Sequence, residues 1–178
     1  MRAEPGGMFF DTNIVVYSQD ISQPFKKARA EEAMDAAMTS GRFVISTQVM
    51  QEFYAVALRK RWMPPAHAQN LLSRLAEHTV IAASADSVLR GVALQQRHQL
   101  SIWDALIVQA ALDARCAVLY SDDFQEGRHF EPLGGAGPGL LVVNPFTAQA
   151  AAAGPAVHEA QAPYRVEVKK RRTGRAPK

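Results

Sequence analysis

Cysteine is almost absent from this chain: its 178 residues include one, Cys116, set in the apolar stretch RCAVLY. No disulfide can therefore form within the chain, and a reducing cytoplasm is the expected location. Long uncharged apolar runs are missing too. No stretch approaches the roughly 20 residues needed to span a bilayer, and MRAEPGG at the start has one Arg but no apolar core of a secretion signal. A soluble, unexported protein with no membrane partner is expected. The five histidines make no zinc spacing with Cys116 or with one another. No Ser-His or Cys-His arrangement suggests a side-chain nucleophile, and no internal repeat is evident. GGAGPG at 134–139 lacks the spacing and the Lys-Ser/Thr of a phosphate-binding loop and precedes a strand instead of a helix, so it reads as a flexible turn.

What is present fits one domain. A 48% hydrophobic content over 178 residues fills one core but not comfortably two. Charge is unevenly placed. The last fourteen residues, RVEVKKRRTGRAPK, hold seven Lys/Arg and one acid, a block of +6; the whole chain is +3, so residues 1–164 carry −3. Residues 147–178 therefore read as an Ala/Pro-rich, basic and flexible tail, either able to track phosphates or simply solvated. Residues 1–7 read as an unpatterned extension, and Met8 could serve as the start.

Between these ends, apolar runs alternate between two periods. MFF before Asp11, FVIS at 43–46, TVIAA at 79–83, AVLYS at 117–121 and LLVVN at 140–144 read as short buried strands. Residues 25–41, 47–62, 65–78 and 84–99 read as helices, bounded by Pro24, by Gly41 and by Pro64-Pro65. SIWDALIVQAALDARC, 101–116, is apolar nearly all round, which predicts a helix covered on several sides. The run after Asp11, NIVVY, reads as a helix start or a further buried segment. Alternating strands and helices predict an α/β fold with a central, mainly parallel sheet.

Acids interrupt this pattern at awkward places. Asp11 follows a strand directly, where it could cap the next helix or stand at the sheet's carboxyl edge, the edge at which α/β proteins build sites. Glu52 lies three residues after Val49 and four before Val56, on or beside an apolar helix face unless it extends to water. Asp104 is the sole charge among the first eleven residues of its helix, and Ser101-x-x-Asp104 is also a capping-box pattern. SDDFQ follows the AVLY strand as DTN follows MFF, and alternation over so short a segment leaves open which of Asp122 and Asp123 points inward. Four acids with no Lys or Arg nearby in sequence would repel one another if they converged, unless a cation neutralised them. Oxygen ligands select hard ions such as Mg²⁺ or Mn²⁺, and such ions suit phosphodiester chemistry. Asp11 as a phosphotransfer nucleophile is disfavoured, because that role leaves Glu52 idle.

FFDTNIVVY, the Glu in TQVMQEFY, SIWDALIVQAAL, LYSDDFQEG and LLVVNPF, in this order over residues 8–146, resemble the PIN-domain nucleases, and among them the ribonuclease toxins of bacterial VapBC-type toxin–antitoxin modules. The resemblance implies a PIN-like α/β/α sandwich and a Mg²⁺-dependent endoribonuclease that cleaves single-stranded RNA by water attack, leaving a 5′ phosphate. It also implies a homodimer and a small antitoxin that occludes the acidic groove. By position, Asp11, Glu52, Asp104 and Asp123 match the metal-binding acids. Thr12, Asn13, Ser121 and Asp122 would be the supporting groups around them. Arg59, Lys60 and Arg61 could hold the RNA backbone or could be a solvated helix end. The alternative is a PIN-fold protein without catalysis that binds an antitoxin or RNA.

Overall fold

The computed structural model describes residues 6–60, 63–135 and 137–147. The tail from 148 onward, Arg61, and residues 1–5 of the N-terminal extension lie outside them. The chain opens with β1 (Gly7–Phe10) and α1 (Thr12–Tyr17), then runs through α2 (Pro24–Thr39), β2 (Phe43–Ser46), α3 (Thr47–Lys60), α4 (Pro65–Leu75) and β3 (Thr79–Ile81). It continues through α5 (Ala85–His98), α6 (Ile102–Asp113), β4 (Cys116–Tyr120), β5 (His129–Phe130) and β6 (Leu140–Val143). No described helix is long and apolar enough to cross a membrane.

Local chemistry explains most boundaries. Helix α1 contains β-branched residues that are poor helix formers; it persists because Asp11 caps it and because Ile14 and Val15 are fully buried. At α2, Pro24 supplies a fixed φ at the first helical position, where no amide is lost. Ser84 and Ser101 cap α5 and α6 through their hydroxyls. The two helices form an antiparallel hairpin: a three-residue connection joins them, Arg90 pairs with Asp113 at 2.9 Å across the far end, and Gly91 allows Leu106 to approach closely. A Cβ at Gly91 would fall 2.8 Å from Leu106 Cδ2.

The strands form one sheet in the order β3-β2-β1-β4-β6-β5, parallel throughout except for β5 against β6. The strand β5 was not foreseen. Two residues are too few to show alternation, and its pairing with β6 is settled by tertiary contact rather than by pattern. From β1 the chain steps outward to β2 and β3, then returns to the other side of β1 with β4. The direction of winding thus reverses between β1 and β4, so the loops leaving their carboxyl ends diverge and open a crevice there. Asp11 N–H donates to the Tyr120 carbonyl at 3.0 Å, which locks those two strand ends together.

Beneath that crevice the core is dense. Phe9, Ile45, Leu119 and Val142 are buried on neighbouring strands, and α6 buries Ala105, Ile107, Val108, Ala111 and Leu112, as its all-round apolar sequence predicts. The Phe10 ring is stacked between Phe43 and Tyr120, with both centroid separations 4.9 Å. It sits one residue before Asp11, so packing and site geometry are coupled there. Phe10→Ala removes the middle ring and should cost about 3–5 kcal/mol of stability, read as a lower urea midpoint with an unchanged slope; a loss below about 1 kcal/mol would show that the stack carries no such weight.

Candidate active site

Asp11 has extended backbone (φ −72°, ψ 161°) where β1 gives way to α1, and its carboxylate accepts from Thr12 N–H at 2.6 Å. It therefore caps the helix, as one sequence reading allowed. Its other oxygen accepts from the buried Ser121 hydroxyl at 2.7 Å. Ser121 follows β4, so this bond joins the two strand ends at the point where the winding reverses.

Ser121 is a junction. Its oxygen accepts from Asn13 Nδ2 and from Asp123 N–H, each at 3.2 Å. Thr12 connects Asp11 to the next acid, because its hydroxyl donates to Glu52 Oε2 at 2.6 Å. Gln48, one helical turn before Glu52, donates to Glu52 Oε1 at 2.9 Å and to the Trp103 carbonyl at 3.2 Å. A continuous path of hydrogen bonds thus runs from Asp123 through Ser121, Asp11, Thr12, Glu52 and Gln48 to the residue beside Asp104. All of its donors are uncharged.

Asp104 stands in the first turn of α6, with its N–H capped by Ser101 Oγ at 3.1 Å. Among the described residues nothing donates to its carboxylate, so the reciprocal bond of a capping box is not formed and the carboxylate is left for other use. Asp122 points elsewhere. It pairs with Lys26 at 2.8 Å, and Lys26 lies over the Tyr17 ring at 4.0 Å and the Phe146 ring at 5.0 Å. Burial works to lower the Lys26 pKa, but Asp122 and Tyr17 outweigh it and hold the ammonium above the ordinary lysine value. Lys26 and Gln48 were not singled out by sequence. For Gln48 the signal was available in its i, i+4 spacing to Glu52; for Lys26, ninety-six residues from Asp122, there was none.

The acids feel one another. Burial pushes the Asp11 carboxyl up to about 7, Ser121 and the Thr12 amide oppose the rise, and the charges of Asp123 and Glu52 add to it. Asp123 is an exposed residue, yet desolvation of its carboxyl comes first in raising its pKa. Hydrogen bonding from Asn13 and the charge of Lys26 oppose that rise, and the charges of Asp122 and Asp104 reinforce it. Asn13 Oδ1 is buried and unpartnered. The fold therefore brings Asp11, Glu52, Asp104 and Asp123 to one edge. Among the described residues, however, no three His, Cys, Asp or Glu side chains are gathered tightly enough to hold an ion. A cavity of about 740 Å³ lies between α2 and α4 against Met34, Met38, Leu71 and Leu75, and none of the four acids lines it.

Comparison with known proteins gives a PIN domain family model matching residues 8–126. No curated protein sequence matches the chain. A solved toxin–antitoxin complex from Klebsiella pneumoniae contains a chain 25% identical to this one, with a TM-score of 0.53, covering 78% of this chain and 98% of that one. The structure of VapBC2 from Rickettsia felis bound to a DNA fragment from their promoter contains a chain 17% identical, with a TM-score of 0.51, covering 77% and 97%; that likeness is one of fold.

A raised Asp11 pKa has a consequence for the metal-free protein. The folded state holds a proton on Asp11 more tightly than the unfolded chain, whose value is near 3.8. This contribution to stability is complete below pH 4 and is lost as pH rises through about 7. In EDTA, Asp11→Asn should therefore gain stability relative to the natural protein as pH rises from about 4 to about 7, measured by chemical denaturation. Parallel pH profiles for the two proteins would show that Asp11 titrates normally.

Proposed function

The chain belongs to the PIN domain family, and from that premise we propose that it is a Mg²⁺-dependent endoribonuclease, the toxin of a toxin–antitoxin module. The observation that carries the reading is the gathering of Asp11, Glu52, Asp104 and Asp123 at the winding reversal, held by uncharged donors. Asp11 in particular is so deeply buried among like charges that its carboxyl is pushed up to about 7. A divalent cation would relieve that frustration. The donor set is all oxygen, which suits Mg²⁺ or Mn²⁺ over zinc, and the unpartnered Asn13 Oδ1 is a further oxygen facing no donor.

When bound, the ion supplies the positive charge that eases deprotonation of an attacking water and stabilises the 3′ oxygen leaving phosphorus. The chain's own residues do the positioning. Ser121 and the Thr12 amide fix both oxygens of Asp11, and the Thr12 hydroxyl and Gln48 fix both oxygens of Glu52. Lys26 neutralises Asp122, which removes one negative charge from the path of an incoming phosphate. Hydrolysis of this kind needs no side-chain nucleophile and leaves a 5′ phosphate. A small antitoxin is the proposed protein partner, supported by the likeness to a chain of the Klebsiella pneumoniae toxin–antitoxin complex. A homodimer in the cytoplasm completes the reading.

A second reading, a PIN-fold protein that binds an antitoxin or RNA without cleaving it, draws on one observation: the acids among the described residues are not drawn tightly enough to hold an ion as they stand. Cleavage assays separate the two. Asp11→Asn and Asp104→Asn should each lower Mg²⁺-dependent RNA cleavage by about 100-fold or more, and Ser121→Ala by about 10- to 100-fold through loss of support to Asp11, with circular dichroism unchanged. Activity retained in both Asn variants would falsify the assignment. RNA binding that is indifferent to Mg²⁺, with no cleavage by the natural protein, would favour the second reading.

A further inference from the structure

We propose that Trp103 is a stacking platform for an unpaired nucleobase of the RNA, one residue from the acids; this rests on the nuclease reading above. Trp103 is 63% exposed, an unusual state for the largest residue, and among the described residues no ring packs on it. Its place in the chain is not peripheral. Trp103 precedes Asp104 in the first turn of α6, and its carbonyl is held by the same Gln48 amide that holds Glu52.

Exposed apolar surface often marks a protein interface, but such an interface needs a continuous patch. Trp103 has none along its own hairpin. Val88 and Leu89 are exposed at the opposite end of the α5–α6 pair, where Arg90 meets Asp113, ten residues and about 15 Å of helix away. Leu58 is likewise ten residues, about 15 Å, along α3 from Gln48. Phe25, 49% exposed, adjoins Lys26 on α2, so Trp103 is the exposed aromatic residue next in the chain to Asp104 and apart from the Val88–Leu89 and Leu58 positions.

Charge argues for the same occupant. Residues 1–164 carry −3, and the edge itself is lined with carboxylates, so phosphate attraction to this surface is weak. A π face is indifferent to that repulsion and accepts any unpaired base. A strand whose scissile phosphate lies at Asp104 must carry its adjoining base past the neighbouring side chain, which here is an indole. The bound class is therefore single-stranded RNA, gripped by stacking without strong sequence preference.

Two measurements test this. In cleavage assays Trp103→Ala should raise KM by about tenfold, the effect of losing one stacked base, with kcat little changed because the contact is made equally in ground and transition states. Trp103→Phe should restore most of the loss. Trp103→Leu, which keeps apolar bulk without a ring, should not restore it, and so separates stacking from folding. The second readout is fluorescence. The chain has two tryptophans, so Trp62→Phe leaves Trp103 as the sole reporter, and adding Asp11→Asn silences cleavage. Single-stranded RNA should quench this protein's emission, whereas inorganic polyphosphate, which has charge but no bases, should not. An unchanged KM in Trp103→Ala, equal quenching by polyphosphate, or dissociation of an oligomer by Trp103→Ala would overturn the proposal. If the natural protein cleaves no RNA, the nuclease reading fails, while base-dependent quenching still reports stacking separately.

Discussion

Carboxylates repel, and this fold brings four of them to one edge where, among the described residues, none forms an ion pair with a lysine or arginine; the Lys26 charge reaches Asp123 only through space. Neutral groups do the holding: the Ser121 and Thr12 hydroxyls, the Thr12 amide and the Gln48 side chain. Such donors orient a carboxylate without cancelling its charge. Cationic partners would have made a quieter protein but would have filled the positions a divalent ion needs. The chain does use a cation nearby, and the contrast is informative: Lys26 pairs with Asp122, the first acid of the SDD segment.

The repulsion is tolerated because the surroundings are stiff. Two parallel strands end side by side with an Asp11–Tyr120 backbone bond between them, over a stack of Phe43, Phe10 and Tyr120. Burial of Asp11 raises its pKa, and that destabilisation is offset by the packing below it. Glu52 in the second turn of α3 and Asp104 in the first turn of α6 place the starts of both helices at the same edge.

Much of this was legible in the residues. Five of the six strands and five of the six helices follow from apolar period, proline and glycine, and the sixth helix, α1, was ambiguous because β-branched residues serve helix and strand alike. The strand β5 was missed for want of length. Among the acids, sequence alone left capping and site roles in competition at Asp11 and Asp104. The structure shows Asp11 capping α1 with one oxygen and accepting from Ser121 with the other, whereas Asp104 stands in the first turn of α6 without forming the capping-box bond. Between Asp122 and Asp123 no local rule distinguishes; the structure pairs Asp122 with Lys26, ninety-six positions away.

Sequence by itself determined the order of most elements, the α/β class, the burial of most of α6 and the chemical character of the acids, because periodicity, capping and charge are local properties of a chain. Tertiary structure alone decided which acid turns to Lys26, that Ser121 and Thr12 link Asp11 to its neighbours, that Gln48 ties Glu52 to the start of α6, and that Trp103 stands uncovered beside them. Those facts depend on where remote strand ends meet, and that meeting is set by the reversal of winding between β1 and β4, a global property that no short window of residues contains.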